Sequence, residues 1–500
     1  MLNVRRLGYN SAMKLPEILH NISHTLTGRH ARAIIVGGSV RDHFLGLPIK
    51  DYDIEVYGLS SMESLEEILS HFGSVNLVGK SFGVLKFSHA GEEYDFSLPR
   101  REQKVGEGHR GFDVRVDGSM SFEEASRRRD FTINAIGYEI EADRFLDPFG
   151  GREDIRKGVI RHIDDRTFVE DPLRVYRAVQ FGGRFGYKLA ESTKVLCRQM
   201  VDSGMLESLP KERIFVEWKK LLLKSRKPSI GFEMMKELGV LRYFPELEAL
   251  IGLAQDPRYH PEGDVWTHTM MCLDVMADQM AKCREQGAEM EERQKLKYLF
   301  AILCHDLGKA TTTTFDDDGR IRAIGHEEAG VELTGTLMYR LTNAHDFIEG
   351  ILPLVAHHLK PSQLYRANAG NKAIRKLALK VNIEELVLVA RADFLGRTTP
   401  EALSGEYKAG EWLLERAREL KVECKPMDNL LQGRDLITLG LKPSEQFKVI
   451  LNEVYELQLS DRLTTKDEAI AYVRERFIAC LLYTSPSPRD RTRSRMPSSA

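Results

Sequence analysis

The stretch that most constrains this chain is Ile34–Tyr57, IIVGGSVRDHFLGLPIKDYDIEVY. An apolar run ends in Gly37-Gly38, a short helical pattern follows, and Asp51-Tyr52-Asp53 leads into a second apolar run through Ile54 and Val56. This order predicts strand, glycine turn, helix, strand. Gly37 and Gly38 let the backbone approach a ligand closely. Ser39 is expected as the helix N-cap. Free amides at such a helix start, reinforced by the helix dipole, suit a phosphate. Asp51 and Asp53 are two apart, so on a strand both carboxylates point to one face. Two carboxylates there can hold a pair of Mg²⁺ ions about 3.5–4 Å apart, the geometry of in-line attack on phosphorus, and Mg²⁺ suits carboxylate and phosphate oxygens. A Gly-Gly turn alone is usually just a turn, and a lone Asp-x-Asp is usually a solvated strand end. It is their order and closeness that make the combination specific.

The 500 residues suggest several domains, and 42% hydrophobic residues supply an ordinary globular core. Net charge is −2, so nothing global announces a nucleic-acid binder. Locally the balance differs: Arg127–Lys227 holds 22 Lys and Arg against 16 Asp and Glu, a surplus of +6. The six cysteines, Cys197, Cys272, Cys283, Cys304, Cys424 and Cys480, form no Cys-x-x-Cys pair and read as reduced thiols of a cytoplasmic protein. No apolar run approaches the roughly 18 residues of a membrane span. The first residues carry charges with no apolar stretch after them, so no signal peptide is expected. Tyr483–Ala500 is Ser/Pro/Arg-rich without periodicity and is expected to be a disordered, non-native extension.

Residues 15–26 and Met62–His71 have helical spacing, and Val75–Val78, Val84–Ser88 and Glu93–Ser97 read as strands, giving a small mixed head with a sheet of about five strands. Asp95, on the last of these, is either a third acidic group facing Asp51 and Asp53 or a plain edge-strand residue. Leu98–Asp113 reads as a mobile, charged loop. Arg127–Ala135, RRRDFTINA, follows: Arg129 can fork onto a triphosphate, Asn134 can reach a ribose hydroxyl or shape the turn, and Asp130 is expected to position Arg129. In Val169–Phe181, VEDPLRVYRAVQF, Pro172 suits a first helical turn, and Asp171 and Arg174, three apart, share one face. The ordinary reading of such a pair is a surface salt bridge worth a few tenths of a kcal/mol.

Taken together, these motifs resemble the DNA polymerase beta-type nucleotidyltransferases in the form found in tRNA nucleotidyltransferases, the CCA-adding enzymes. RRDFTINA matches that family letter for letter, and Asp147–Gly151, DPFGG, repeats its turn between head and neck. The resemblance implies catalytic roles for Asp51 and Asp53, with Mg²⁺ on both; Asp95 is a catalytic candidate from its strand position, as base on the attacking hydroxyl or as a metal ligand, although several members of the family lack an acid there. It implies nucleotide contacts from Gly37, Gly38, Ser39, Arg41, Arg129, Asn134, Asp171, Arg174 and Arg177, and phosphate contacts from Arg100, Glu102 and Lys104 of the loop. In this family the Asp171–Arg174 pair would imitate the pairing edge of a base, admitting C or A and rejecting G and U. A mismatched buried polar group costs about 1–3 kcal/mol, enough to discriminate. The basic helix after Leu209, with Lys219, Lys220, Lys224, Arg226 and Lys227, resembles the neck along which tRNA backbone would lie.

From Tyr259 the character changes. His268, then HDLGK at His305–Lys309, then His326, His357-His358 and Asp393 follow in an order that resembles the HD-domain phosphohydrolases. His268, His305, Asp306 and Asp393 match their H…HD…D set. His326 with His357 or His358 would serve a second metal, the choice between the last two staying open. Imidazole suits transition metals such as Ni²⁺, Mn²⁺ or Co²⁺. His305 and Asp306 are expected inside an apolar helix, Tyr298–Leu307.

The expected class is α+β: a mixed-sheet nucleotidyltransferase head (1–150), an all-helical neck (151–250), a helical HD domain (251–400) and a helical tail (401–482), with the extension at 483–500. The expected activity is template-independent addition of C, C and A to the 3′ end of tRNA from CTP and ATP, with a second phosphohydrolase activity in the HD domain. Enzymes of narrower scope on the same head remain as alternatives: A-adding, CC-adding or poly(A) polymerase. So do an HD phosphohydrolase with a tRNA-binding head and a non-catalytic RNA-binding protein. The intact Asp-x-Asp opposes these last two. Nothing in the sequence fixes the oligomeric state.

Overall fold

The computed structural model describes residues 12–79, 83–104 and 112–478, with no side-chain detail for 77–79, 101–104 and 112–115. The proposed extension after residue 482 and the middle of the expected loop, 105–111, lie outside the described residues. The chain divides into two compact units. One comprises Met1–Leu253, Leu273–Leu299 and Gly335–Ala344, and the other Ala254–Cys272, Phe300–Thr334 and His345–Ala500.

The first unit begins with α1 (Glu17–Gly28), β1 (Arg32–Val36), α2 (Gly38–Phe44), β2 (Asp53–Tyr57) and α3 (Met62–Ser70). Then come β3 (Ser74–Gly79), β4 (Val84–His89), β5 (Glu92–Ser97), β6 (Arg100–Lys104), β7 (Phe112–Val116), α4 (Phe122–Arg127), β8 (Gly137–Glu139) and β9 (Arg144–Leu146). Among the described residues the main sheet has seven strands in the order β3-β4-β5-β2-β1-β8-β9. Only β2 and β5 run parallel; the other pairs are antiparallel. The sheet is wider than the expected five strands because β8 and β9 span three residues each, too few for alternation to mark them. The expected loop Leu98–Asp113 is in part a ribbon of β6 on β7, registered Arg100 to Val116.

Helices follow, among them Leu173–Phe185, Lys211–Lys224 and Ser229–Leu238. The neck core closes on Trp218, fully buried, whose ring meets Phe232 at 5.2 Å and Phe244 at 4.7 Å between centroids. Gly183 and Gly231 both face Leu221, where an added Cβ would come within 2.3 and 2.5 Å of its Cδ1, so small residues set how closely these three helices pack. The basic surplus is partly balanced by acids: Lys219 pairs with Glu292, Lys220 with Glu217 and Arg226 with Asp278.

Among the described residues of the second unit the regular structure is helical except for a ribbon of Thr313–Phe315 on Ile321–Ala323. Toward the unit's end the helices Gly433–Thr438 and Gln446–Leu459 flank Gly440-Leu441-Lys442-Pro443, and Lys466–Val473 follows. No helix among the described residues is long and apolar enough to cross a membrane.

Replacing Trp218 with Ala removes the largest side chain of the neck core and should lower unfolding free energy by about 3–5 kcal/mol. Denaturant unfolding of the first unit's transition checks this, and an unchanged midpoint would show that the aromatic cluster does not hold the neck.

Candidate nucleotidyl-transfer and metal sites

The head site forms where β1, β2 and β5 end together. Gly37 has φ 74°, a backbone that only glycine adopts cheaply, and it caps α2. Ser39 is therefore not the N-cap; it lies inside α2, and its hydroxyl turns back to donate to the Val36 carbonyl at 3.2 Å. A Cβ on Gly37 would sit 3.5 Å from both Arg129 Nη1 and Asp53 Oδ2, so the turn, the guanidinium and the carboxylate converge.

Strand β2 begins at Asp53, which leaves Asp51 in the segment before it rather than on the strand. Asp53 registers directly with Asp95 across the parallel pair, which places both on one face. Asp95 also accepts from Lys86 Nζ at 3.1 Å. Although Asp53 is exposed along one edge, the protein around it raises its carboxyl above the ordinary range; Arg129 opposes this, and Asp95, Asp51 and Glu55 reinforce it. Crowded carboxylates of this kind are the donor set that a divalent cation relieves.

Sequence reasoning missed Glu55. It follows Asp53 by two on the same face and is buried, accepting from Arg129 Nη2 at 2.9 Å and from the Tyr57 hydroxyl at 2.7 Å, with Arg128 Nη2 at 3.6 Å. Burial opposes ionisation of Glu55, but Arg129, the Tyr57 hydrogen bond, Arg128 and Arg100 together hold its carboxyl below the ordinary range. The available signal was an acid inside the apolar run Ile54–Tyr57. Glu55, not Asp130, positions Arg129. Asp130 instead accepts from Arg177 Nε at 2.7 Å, from Asn134 Nδ2 at 2.9 Å and from the Phe131 amide at 2.8 Å. Asn134 Oδ1 in turn accepts from Arg41 Nη1 at 2.6 Å, and Arg41 also binds Asp42 and lies over Phe181 and Phe185. Arg41, Asn134 and Arg177 thus form one buried network with Asp130.

Asp171 precedes the helix Leu173–Phe185 and accepts from the Leu173 amide at 3.2 Å and from Arg213 Nη2 at 3.1 Å. Arg174 donates to the carbonyls of Thr167 and Arg128, each at 2.7 Å. The two side chains do not bond to each other, so the simple surface salt bridge is not what forms. Arg100 is half-buried, and the side chains of Glu102 and Lys104 are among those left undescribed.

The second unit collects its histidines and acids on separate segments. His268 lies on the helix Val265–Glu285, and Asp393 on Ile383–Leu395. His326 begins the helix His326–Leu341. His305 and Asp306 are not helical: the helix stops at Cys304, and they occupy the turn after it. Gly308 makes that turn possible, because a Cβ there would come within 2.0 Å of the His326 carbonyl. Among the described residues three groups result: His268, Cys272, His305 and Asp393; Asp306, His326 and His358; and, sharing His268 with the first, His260, Glu262 and His268. His357 is in none of them; it is half-buried, and its ring is pushed down chiefly by burial. Of the two histidines the sequence left open, His358 is the one that joins a group. Cys272, His260 and Glu262 were missed.

The imidazole orientations are informative. Nδ1 of His305, His326 and His358 faces the backbone carbonyl three residues earlier, at 2.6, 2.7 and 2.7 Å. A carbonyl only accepts, so each Nδ1 carries a proton, and in a neutral ring that leaves Nε2 bare. His268 does the same toward Glu262, 2.8 Å away. The bare nitrogens meet other acceptors: His268 Nε2 is 3.1 Å from Asp393 Oδ1, His326 Nε2 is 3.3 Å from Asp306 Oδ1, and the Nε2 atoms of His326 and His358 are 3.4 Å apart. His305 Nε2 is buried without a hydrogen-bond partner, 3.2 Å from Asp306 Oδ2. Lone pairs aimed at lone pairs call for a proton or a cation between them. His358 does not supply one, since burial and the neighbouring His305 and His326 push it down to about 3. Inward Nε2 atoms with Nδ1 anchored to protein oxygens are the supporting pattern of metal sites, and the residues fit a metal. Arg397 and Lys309 hold the outer sides of Asp393 and Asp306, at 2.9 and 2.7 Å.

An α+β head with an acidic, glycine-flanked site, a helical neck and a His/Asp helical unit define the class: a nucleotidyltransferase-type head joined to an HD domain. Residues 33–161 match the family described as "Poly A polymerase head domain", 186–251 "Probable RNA and SrmB- binding site of polymerase A", and 265–397 "HD domain". The multifunctional CCA protein of Nitrosospira multiformis is 36% identical over 375 residues, covering 73% of this chain and 84% of the relative. That of Thioalkalivibrio sulfidiphilus is 33% identical over 414 residues, covering 80% and 93%. The chain belongs to this family, the bacterial CCA-adding enzymes with a C-terminal HD domain. The fold is shared with the Bacillus stearothermophilus CCA-adding enzyme solved with CTP (TM-score 0.62, 23% identity, 94% of this chain and 100% of that one). It is shared too with the Thermotoga maritima CCA-adding enzyme complexed with tRNA (TM-score 0.56, 20% identity, 94% and 96%).

Metal analysis after equilibration with Mn²⁺, Co²⁺ or Ni²⁺ and gel filtration should find bound metal in the wild-type protein. His358→Ala should lose metal while His357→Ala keeps it. Equal retention by both would remove His358 from the site.

Proposed function

We propose that this protein adds C, C and A to the 3′ end of tRNA, using CTP and ATP and releasing pyrophosphate. The observation that carries this reading is the convergence of Gly37, Asp53, Asp95 and Arg129 on one face of the head sheet, in a chain whose relatives are named multifunctional CCA proteins. Asp51 and Asp53 would hold Mg²⁺, with Asp95 beside them. Bound there, the cation supplies charge neutralisation at the α-phosphate and at the attacking 3′-hydroxyl. The open turn at Gly37-Gly38 admits the triphosphate close to backbone, and Arg129, fixed by Glu55, offers its guanidinium to it. The network of Asp130 with Arg41, Asn134 and Arg177 fixes the floor of the site. Asp171 and Arg174 present an acceptor and a donor beside that floor, and these select the base. The helical neck carries the tRNA backbone. The protein works in the cytoplasm.

The His/Asp cluster of the second unit supports a second, metal-dependent phosphohydrolase activity. There His268, His305, Asp306 and Asp393, with His326 and His358, would hold transition metal, which polarises a phosphate ester when bound. The orphaned Nε2 of His305 supports that reading.

Incubation with tRNA ending at the discriminator base, and with labelled CTP and ATP supplied separately and together, tests the first function. A full CCA end is expected only with both. Addition of A alone or C alone would assign the narrower enzymes. Asp53→Asn should reduce addition by at least about 10³-fold, the scale of losing a group that acts only in the transition state, while tRNA binding in a filter assay persists. Near-normal turnover would overturn the metal assignment. With all four nucleotides offered, Asp171→Ala or Arg174→Ala should relax base choice more than it slows addition, and continued restriction to C and A would overturn the template role.

A further inference from the structure

The H…HD…D pattern contains only nitrogen and oxygen donors, yet the folded site holds a sulfur. Cys272 follows His268 by four on one helix, so the two side chains share a face. Both are completely buried. Cys272 Sγ is 3.3 Å from His268 Nε2 and 3.6 Å from the backbone carbonyl of Asp393. Together with His305 Nε2 and an Asp393 carboxylate oxygen, these atoms all lie within 4.8 Å of one another.

The sulfur is placed by close packing. A Cβ on Gly396 would fall 2.3 Å from Cys272 Sγ and 2.9 Å from the Cys272 Cα and N. Glycine at 396 therefore lets the end of the Asp393 helix rest on Cys272, bringing Asp393 and the thiol to the same point. One S–H proton cannot satisfy both the Asp393 carbonyl and His268 Nε2, whose own proton is on Nδ1 facing Glu262. The thiol donates to one of them at a time, and Cys272 Sγ, His268 Nε2, His305 Nε2 and an Asp393 oxygen converge on one point, with His305 Nε2 lacking a hydrogen-bond partner of good geometry.

We infer that Cys272 is a ligand of the first HD metal position, completing a donor set of two imidazoles, one carboxylate and one thiolate. The inference rests on reading the His/Asp cluster as a metal site. Such a set suits a borderline-soft cation: thiolate and imidazole favour Zn²⁺ and Co²⁺ over Mg²⁺ or Mn²⁺, which prefer oxygen. As for any cysteine ligand, binding would take the thiolate, the thiol proton passing to solvent as metal enters. This position then differs in kind from the Asp306–His326–His358 group, which has no sulfur.

Cobalt substitution reads the bond directly. The full chain, stripped of metal and titrated with Co²⁺, should develop a near-ultraviolet sulfur-to-cobalt charge-transfer band alongside the visible d–d bands. Cys272→Ala and Cys272→Ser should abolish the charge-transfer band. Both should also lose about ten- to a hundred-fold of the preference for Zn²⁺ over Mn²⁺ in competition, a loss of the size seen when groups around a metal are removed. Thermal unfolding of both variants shows that the fold persists; the serine variant keeps size and polarity, so loss of the band there cannot be ascribed to a cavity. Stoichiometric Co²⁺ binding without the band, or a band unchanged in both variants, would overturn the role of Cys272 and leave the metal site intact. Failure of the wild-type protein to bind Co²⁺ or Zn²⁺ at all would overturn both.

Discussion

The carboxylate of Asp130 is the interaction on which the first unit depends. It is buried, and its two oxygens are committed in different directions: one to Arg177, the other to Asn134 and the Phe131 amide. Through Asn134 the chain of bonds continues to Arg41 on α2, and Arg41 lies against Phe181 and Phe185 on the helix that carries Arg177. A single acid therefore ties the glycine turn, the RRDFTINA segment and the first neck helix into one piece. Burial alone would push this carboxyl toward its neutral form; Arg177, the Asn134 hydrogen bond and Arg174 override that and hold it below the ordinary range. Breaking a buried pair by removing one partner typically costs about 3–5 kcal/mol, because the remaining charge is left uncompensated. Arg41 and Arg177 are structural members of the network, whereas Arg129 stands outside it, on the Glu55 side, with its Nε buried and unpartnered among the described residues.

Much of the head was legible because its signals are local. The strand–turn–helix–strand order of Ile34–Tyr57 appears in β1, α2 and β2, since glycine and alternation speak for their own neighbourhoods. What misled was the assignment of partners. Asp130 adjoins Arg129 in sequence, but a side chain on a tight turn points away from its neighbour, and the bond goes instead to a residue 47 positions on. Ser39 has the chemistry of an N-cap, yet Gly37, at positive φ, already turns the chain into the helix. The strands β8 and β9 were invisible for lack of length. Glu55 was overlooked because a charged residue in an apolar strand explains itself only once its arginines arrive from 73 and 74 residues away.

The second unit was legible at the level of residue type and order, less so at the level of conformation. The helical expectation for His305 and Asp306 followed from the apolar run before them; the run is helical, but it ends at Cys304. The turn has a chemical consequence. Inside a helix the Ile302 carbonyl would bond to the amide of residue 306, whereas here it receives the His305 ring proton. His326 and His358 repeat the device at the start and just beyond the end of their own helices. The C-terminal ends of helices leave carbonyls unsatisfied, and His305 and His358 use them to fix Nδ1, while His326 takes the Ala323 carbonyl at the end of a strand. Position relative to a helix end, rather than proximity in sequence, is what separates His358 from His357.

The two sites accordingly use opposite solutions to the same problem of holding cations near phosphate. In the head, carboxylates crowd one sheet face that is open on one side, and no nitrogen or sulfur donor stands among Asp51, Asp53 and Asp95. Oxygen donors open to water suit an ion that keeps part of its hydration and shares the rest with a triphosphate. In the second unit the donors are buried, their tautomers are locked by backbone and Glu262, and Arg397 and Lys309 balance the outer faces of the acids. A site of that kind is organised before any ligand arrives, so it selects its metal by donor type and geometry rather than by availability of water. On the proposed reading the donor atoms would do the sorting of metals: oxygen in the head sheet, chiefly nitrogen among the helices, with the Cys272 sulfur beside it.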